Sequence, residues 1–342
     1  MPNRPRGREG RALRTVLSAA SVLAVLAVLA APRAAHAQES AYRAPEYGYQ
    51  YGEFEGPRTL AMGGAARAFG LSTSSIALNP GNLAAQRVYH LEALFGMDTK
   101  AHRLQYGASI ADSVTSRLAM GVLASRTDLG NDGDLYRRGA LDVRVSGAYA
   151  LGDKLSFGVT GHYLRVSQDG LGPLGESRVS RSSSDDPNYR VFTFDAGLAL
   201  SLSDSLRLGA VGYNLTSTGS ALAPLMVGGG LGFKAGDLTL EANVVGVDRT
   251  TWGAWKTRFM AGGEYLLGDH YPLRIGYVWD QGTKRHALSA GTGYVDRTFA
   301  LDAGIRTDVA APDDPWGRAL VFSVGLRYFY ESSAAPDQAT QF

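Results

Sequence analysis

The amino-acid sequence predicts an all-β protein, a 14-stranded antiparallel transmembrane β-barrel with an N-terminal hatch in the lumen. Three observations predict it. From about Tyr89 onward, stretches of roughly ten residues alternate apolar with polar or tiny side chains, the gaps between them alternate short with long, and glycine is abundant without a Gly-X-Y period. Glycine fills 43 of 342 positions, roughly 13% against a usual ~7%. A hydrophobic share of 45% with 19% charged residues argues against a disordered chain, and the absence of cysteine excludes a disulfide scaffold or a thiolate site.

Residues 1–37 read as a signal peptide. Arg4, Arg6, Arg8, Arg11 and Arg14 precede an apolar run from Val16 to Leu29, and Ala35-His36-Ala37 offers a small-x-small cleavage site before Gln38. The run is shorter than the ~20 apolar residues of a helical span. The leader holds six of the 34 basic and one of the 32 acidic residues, which leaves 28 against 31 and a mature chain near −3. The basic balance therefore belongs to the leader. No whole-chain electrostatic case for nucleic acid remains, and no cysteine follows the leader to accept a lipid.

Residues 38–87 form an N-terminal periplasmic lead-in and hatch. Gln38 to Glu55 is rich in tyrosine and glutamate without a period. Small residues dominate from Gly56 to Ala84, where Asn79-Pro80-Gly81 marks a turn and Ser72 to Ser75 can cap a short helix through Ile76 to Leu78. Such a segment suits a place where side-chain volume is scarce, and a barrel of this width wants a filler. A periplasmic extension that merely precedes the first strand is the other reading of the same residues.

The barrel occupies 88–330, with strands near 88–97, 102–111, 116–126, 139–150, 154–167, 189–202, 205–216, 225–235, 237–247, 256–267, 271–280, 285–294, 298–307 and 319–330. In the last, Leu320, Phe322, Val324, Leu326, Tyr328 and Tyr330 share one face, while Ser323, Gly325 and Arg327 share the other. Gaps after even strands are short, as at Leu151-Gly152-Asp153 and the single Gly236. Those after odd strands are mostly long, as at 127–138, 168–188, 217–224, 248–255 and 308–318. In hydrocarbon a sheet must close on itself to pair every backbone group, and short turns belong on the inner side, so both termini are expected in the periplasm of an outer-membrane protein. Residues 331–342 are a periplasmic tail. A soluble sandwich or propeller would also alternate. It would not explain aromatic residues at strand ends, at Tyr149, Tyr163, Tyr213, Trp279, Tyr294, Tyr328 and Tyr330, where a membrane barrel carries girdles.

Arg58-Thr59-Leu60-Ala61-Met62-Gly63-Gly64-Ala65 and Ser75-Ile76-Ala77-Leu78-Asn79-Pro80-Gly81-Asn82-Leu83-Ala84 resemble the N-terminal pattern of FadL-type outer-membrane barrels, and within them the PorV/PorQ-like branch. The final strand, ending Arg327-Tyr328-Phe329-Tyr330, is similar too. The chain departs from the pattern by lacking an alanine between Pro80 and Gly81, by inserting Asn82 before Leu83, and by its tail after Tyr330. The resemblance implies a fourteen-stranded barrel whose hatch includes Arg58, Met62, Gly63, Gly64, Ala65, Asn79, Pro80, Gly81 and Leu83. It also implies passive uptake of hydrophobic molecules such as long-chain fatty acids or hydrocarbons, or, for the PorV-like branch, a part in protein secretion or surface attachment.

No spacing of Ser, His and Asp predicts a catalytic triad, and the histidines after the leader show no paired ligand spacing, so no enzyme, metal or cofactor is expected. Asn131-Asp132-Gly133-Asp134 lacks the downstream glutamate of a calcium loop. The charges Asp142, Arg144, Asp195, Arg207, Glu241, Arg274, Asp302, Arg306 and Arg327 fall on the face opposite the apolar rows, so they are expected in the lumen. There they would pair with one another or with Arg58, Ser74 and Asn79, or else hold a substrate carboxylate. Leu60, Met62, Phe69 and Leu71 are the candidate contacts for a hydrophobic ligand. Expected partners are outer-membrane lipid, that ligand, the barrel assembly machinery during biogenesis and, on the alternative reading, envelope or secretion proteins.

Overall fold

The computed structural model describes residues 55–85, 89–99, 103–129, 136–170, 188–216, 222–249, 254–310 and 318–330. The leader, the lead-in before Glu55, the Asn131–Asp134 loop and the tail lie outside the described residues.

Fourteen strands form, each where a period-2 row of apolar residues was read. They are β1 (Tyr89–Asp98), β2 (Arg103–Asp112), β3 (Leu118–Leu129), β4 (Tyr136–Leu151), β5 (Leu155–Gly170), β6 (Asn188–Ser201) and β7 (Leu206–Tyr213), then β8 (Met226–Ala235), β9 (Leu238–Arg249), β10 (Ala254–Leu267), β11 (Tyr271–Asp280), β12 (Arg285–Val295), β13 (Phe299–Ala310) and β14 (Leu320–Phe329). Every strand pairs antiparallel with its chain neighbours, and β1 pairs with β14 from His90 opposite Phe329 to Asp98 opposite Val321. The sheet has no free edge.

The strand ends correct the expected boundaries. Leu129 pairs with Arg138, Tyr136 with Gly170 and Arg249 with Ala254, so several ladders run into gaps read as loops. Continued pairing satisfies backbone groups that polar side chains alone do not announce. β7 stops early, at Tyr213 rather than 216. There Asn214 turns with φ 54°, its N–H donates to Asp195 Oδ1 (2.8 Å), and the Leu215 N–H donates to the Phe194 carbonyl (2.8 Å). The glycine-rich β8 pairs along its whole length with β9 and from Met226 to Phe233 with β7.

Burial follows the period. On β14, Phe322, Val324, Leu326 and Tyr328 are exposed while Ser323, Gly325, Arg327 and Phe329 are buried. Every strand contributes an exposed large apolar side chain, up to Ile275 at 70% exposure. A continuous belt of that kind, over a buried polar face, is stable only against hydrocarbon, so this is a transmembrane barrel. Tyr213 corrects one girdle expectation. It is buried on the polar face, where its hydroxyl donates to the Leu78 carbonyl at 2.5 Å.

The segment before the wall contains α1 (Pro57–Ala61), α2 (Thr73–Leu78) and α3 (Gly81–Ala85). α1 touches β11 to β14, α2 touches β2 to β4, and α3 touches β3 to β6. The side chains it meets lie on the polar face, and this is where the excess glycine goes. A Cβ at Gly276 would collide with the Met62–Gly63 backbone, one at Gly158 with Pro80, and one at Gly209 with the Arg67 carbonyl. Gly107 differs, being closed in only by neighbouring β3.

Gly276→Val should therefore lower unfolding stability in detergent by about 1–3 kcal/mol, whereas Gly147→Val, at a site with open space, should change it by less than about 0.5 kcal/mol. Urea titration followed by heat-modifiable gel mobility distinguishes the two.

Candidate functional site

Residues 56–85 are shaped by short-range chemistry. Pro57 begins α1 with its φ already helical. The helix ends at Met62, and Gly63 and Gly64 take φ of 65° and 84°. In that conformation the Gly64 N–H reaches the Thr59 carbonyl (2.8 Å) and the Gly63 N–H reaches Leu60 (3.1 Å), satisfying carbonyls the helix leaves open. Met-Gly-Gly is thus a backbone requirement. Ala65 follows into a buried cluster with Val211, Met226 and Val245.

At the second motif, Asn79 Oδ1 accepts the Gly81 N–H (3.1 Å), and its Nδ2 donates to the carbonyls of Arg67 (2.7 Å) and Leu198 (2.9 Å). Pro80 and Gly81 then lie against the glycines of β5 and β6, and Leu83 packs beside Ile76. α2 differs from expectation at its start. Ser72 holds the cap position with φ 55° and makes no capping bond. Instead Thr73 donates through its N–H and hydroxyl to Glu92 Oε2 (3.1 and 2.6 Å), and Ser74 bonds Leu71. Ser74 and Asn79 thus serve backbone groups rather than the wall charges expected to meet them.

Three polar systems join segment and wall. In the first, Arg58 grips Glu264 with two bonds of 3.0 Å. Glu264 also receives Arg274 (2.5 Å), which reaches Asp302 (2.5 Å). Asp302 receives Arg327 (2.5 Å), and Arg327 lies 4.0 Å from Glu92. The chain starts on Arg58 and returns to the segment at Thr73. In the second, Asn243 Oδ1 accepts the N–H groups of Ala66 and Arg67 (both 3.1 Å), and Glu241 accepts those of Ala68 (2.7 Å) and Phe69 (2.9 Å). In the third, buried Arg144 bonds Asp142 (3.0 Å) and the Ala77 carbonyl (2.8 Å), with His162 and Asp195 alongside.

Arg207 lies over the Phe69 ring at 4.9 Å, and Arg306 pairs with Glu55. Burial alone would raise the Glu55 carboxyl, but Arg306, Arg258 and Arg285 outweigh it and hold it below the usual carboxylate range.

Of the candidate ligand contacts, Leu60 borders a cavity of about 90 Å³ at the end of the wall where β1 leads into β2. Met260 and Val278 share its apolar side, and Arg258 and Arg306 share its charged side. Leu71 borders a smaller cavity of about 20 Å³ near the β8–β9 turn. Met62 is fully buried against Gly262, and Phe69 is half-buried beneath Arg207. Sequence reasoning missed Glu264, Glu92, Asn243 and the role of His162. Each sits at an inward parity position of its strand, which was the available signal.

No family model matches the sequence, and no curated protein does. Among solved structures, the chain is similar to the Ralstonia pickettii toluene transporter TbuX, with 14% identity over 83% of this chain and 100% of that one and a TM-score of 0.63. The P. putida toluene transporter TodX aligns at 13% identity over 82% and 99%, TM-score 0.60. It is the same fold. A Pseudomonas aeruginosa FadL homologue aligns likewise, at 12% identity over 81% and 98%, TM-score 0.60.

Removing Glu264 leaves Arg58 and Arg274 without their shared carboxylate in a mostly buried place. Glu264→Gln should cost about 3–5 kcal/mol of unfolding free energy, read as a lower urea midpoint, with a smaller loss of about 1–3 kcal/mol for Asn243→Ala.

Proposed function

We propose that the protein is a passive outer-membrane channel for hydrophobic small molecules such as long-chain fatty acids or hydrocarbons, with residues 55–85 as its lumenal hatch and both termini in the periplasm. One observation carries the reading: the inner face of a closed fourteen-strand wall is met by a segment hydrogen-bonded to β9 and ion-paired to β10, which leaves no place for a wide aqueous pore. Likeness in fold to proteins described as toluene transporters supports the same cargo class. Because Leu60 borders the larger cavity, it is the hatch residue that would meet that cargo, while Leu71 borders a cavity toward the opposite end. The charges on β4, β6, β9, β10, β11, β13 and β14 hold the hatch in position rather than hold substrate.

The protein reconstituted in liposomes should accelerate entry of a radiolabelled long-chain fatty acid or toluene while ion conductance in planar bilayers stays at background. Leu60→Arg should slow that entry on the order of tenfold or more, because it places a bulky charge on the apolar side of the cavity. A folded barrel that admits neither compound above protein-free liposomes, and that stably captures envelope proteins instead, would overturn the proposal in favour of the PorV-like secretion role.

A further inference from the structure

The outer face of the wall is mostly apolar, and its described basic side chains cluster on β3, β5 and β6. On β3 the outward positions run Leu118, Met120, Val122 and Ala124, then Arg126. On β5 they run Leu155, Phe157, Val159, Gly161 and Tyr163, then Arg165. On β6, read from its turn, they run Leu200, Leu198, Ala196, Phe194 and Phe192, then Arg190. All three arginines are exposed, and the side chains flanking Arg165, Leu164 and Val166, are fully buried on the other face. Among described strand side chains these are the only outward-facing Arg or Lys.

Register brings them together. Arg126 is opposite Leu141, Leu141 opposite Arg165, and Arg165 opposite Arg190. With neighbouring strands about 4.8 Å apart, three guanidinium groups occupy an arc roughly 15 Å wide. Asp128 bonds Arg126 at 2.8 Å and also accepts the Tyr106 hydroxyl at 3.1 Å, while the glycine at 139 leaves room for the pair. Among the described side chains, Asp128 offsets one of the three charges, which leaves a net +2. Like charges directly opposite on adjacent strands destabilise a sheet, so Arg165 beside Arg190 calls for an anion. At about 3.4 Å per residue and a tilt near 40°, the row stands roughly 20–26 Å above the short turns, at the upper limit of an apolar band about 25 Å tall. Tyr163 and Phe192, opposite one another, lie directly below it.

We infer that this arc is a docking surface for a phosphorylated glycolipid of the outer leaflet. Arg126, Arg165 and Arg190 hold its phosphates, and its acyl chains run down past Tyr163, Phe192 and Val159. The inference shares with the proposed function only the membrane orientation; it requires no transport of any cargo. Guanidinium groups suit phosphate because they donate forked hydrogen bonds at full charge. A basic side chain costs little at this height, and each contributes attraction to an anionic surface.

The test uses the full protein in mild detergent, with lipopolysaccharide, the same material dephosphorylated, phosphatidylglycerol and inorganic phosphate as separate probes. Retention is read by native mass spectrometry and thermal shift. Lipopolysaccharide should be retained and raise the midpoint, while the dephosphorylated form and inorganic phosphate should do neither. Arg190→Gln should weaken retention about fivefold, and the triple Arg126→Gln, Arg165→Gln, Arg190→Gln variant roughly a hundredfold. Without lipid the triple variant should melt no lower than the parent, since repulsion has been removed. Equal retention by parent and triple variant would overturn the inference, as would equal effects of inorganic phosphate, dephosphorylated lipid or phosphatidylglycerol. If the triple variant fails to fold, Arg190→Gln alone decides. Fatty-acid or toluene entry should be unchanged in Arg190→Gln, so loss of transport and loss of lipid binding are separable results.

Discussion

Four consecutive backbone N–H groups, from Ala66 to Phe69, lie in a stretch that is neither helix nor strand and is buried from water. Without partners, each would cost about as much as a lost hydrogen bond. Asn243 takes two of them and Glu241 takes the other two, and Asn243 Nδ2 donates to Glu241 Oε1 at 2.8 Å, holding both acceptors in line. The placement of everything before and after this stretch depends on that match. It fixes Ala65 and the left-handed glycines on one side, and on the other it holds Phe69 where Arg207 can lie over it.

The ion-paired chain from Arg58 to Glu92 has a different effect. A buried ion pair adds little stability over a well-packed apolar pair, but breaking one is costly, so such a chain specifies position more than it strengthens the fold. Arg274 reaches Asp302 across β12, which is possible because β12 carries glycine there: a side chain at Gly293 would meet the Asp302 carboxylate. Charge and missing volume are therefore two parts of one arrangement. The same rule accounts for Gly276 and Gly158, where the segment's backbone, rather than a side chain, comes against the wall.

The wall was legible because a membrane imposes its period on every strand. Phe322, Val324, Leu326 and Tyr328 can be read as outward from their spacing alone. Strand ends were less legible, since a ladder that continues to Tyr136 and Gly170 depends on a partner strand and not on local side chains. Tyr213 misled because an aromatic residue at a strand end reads as a girdle until its hydroxyl finds the Leu78 carbonyl from the other face. Glu264 was passed over although its parity matched Met260 and Gly262, since its meaning lies in Arg58, far away in sequence. Spacing along one strand records which way a side chain points. It does not record what waits there.

The pairings between α1 and the last strands also carry an order in time. Arg58 and Glu264 are 206 residues apart, and Ala61 accepts a hydrogen bond from Ser289 across 228. The segment and these partners stand at opposite ends of the folded chain, so those contacts cannot form while only β1 to β9 are paired. Loop entropy opposes such distant contacts until late in folding. The seam between β1 and β14 is another contact of this range, from Asp98 to Val321. Docking α1 and closing the wall are consequently late events that draw on the same final strands, and an intermediate lacking β10 to β14 would leave α1 unseated and two sheet edges open at once.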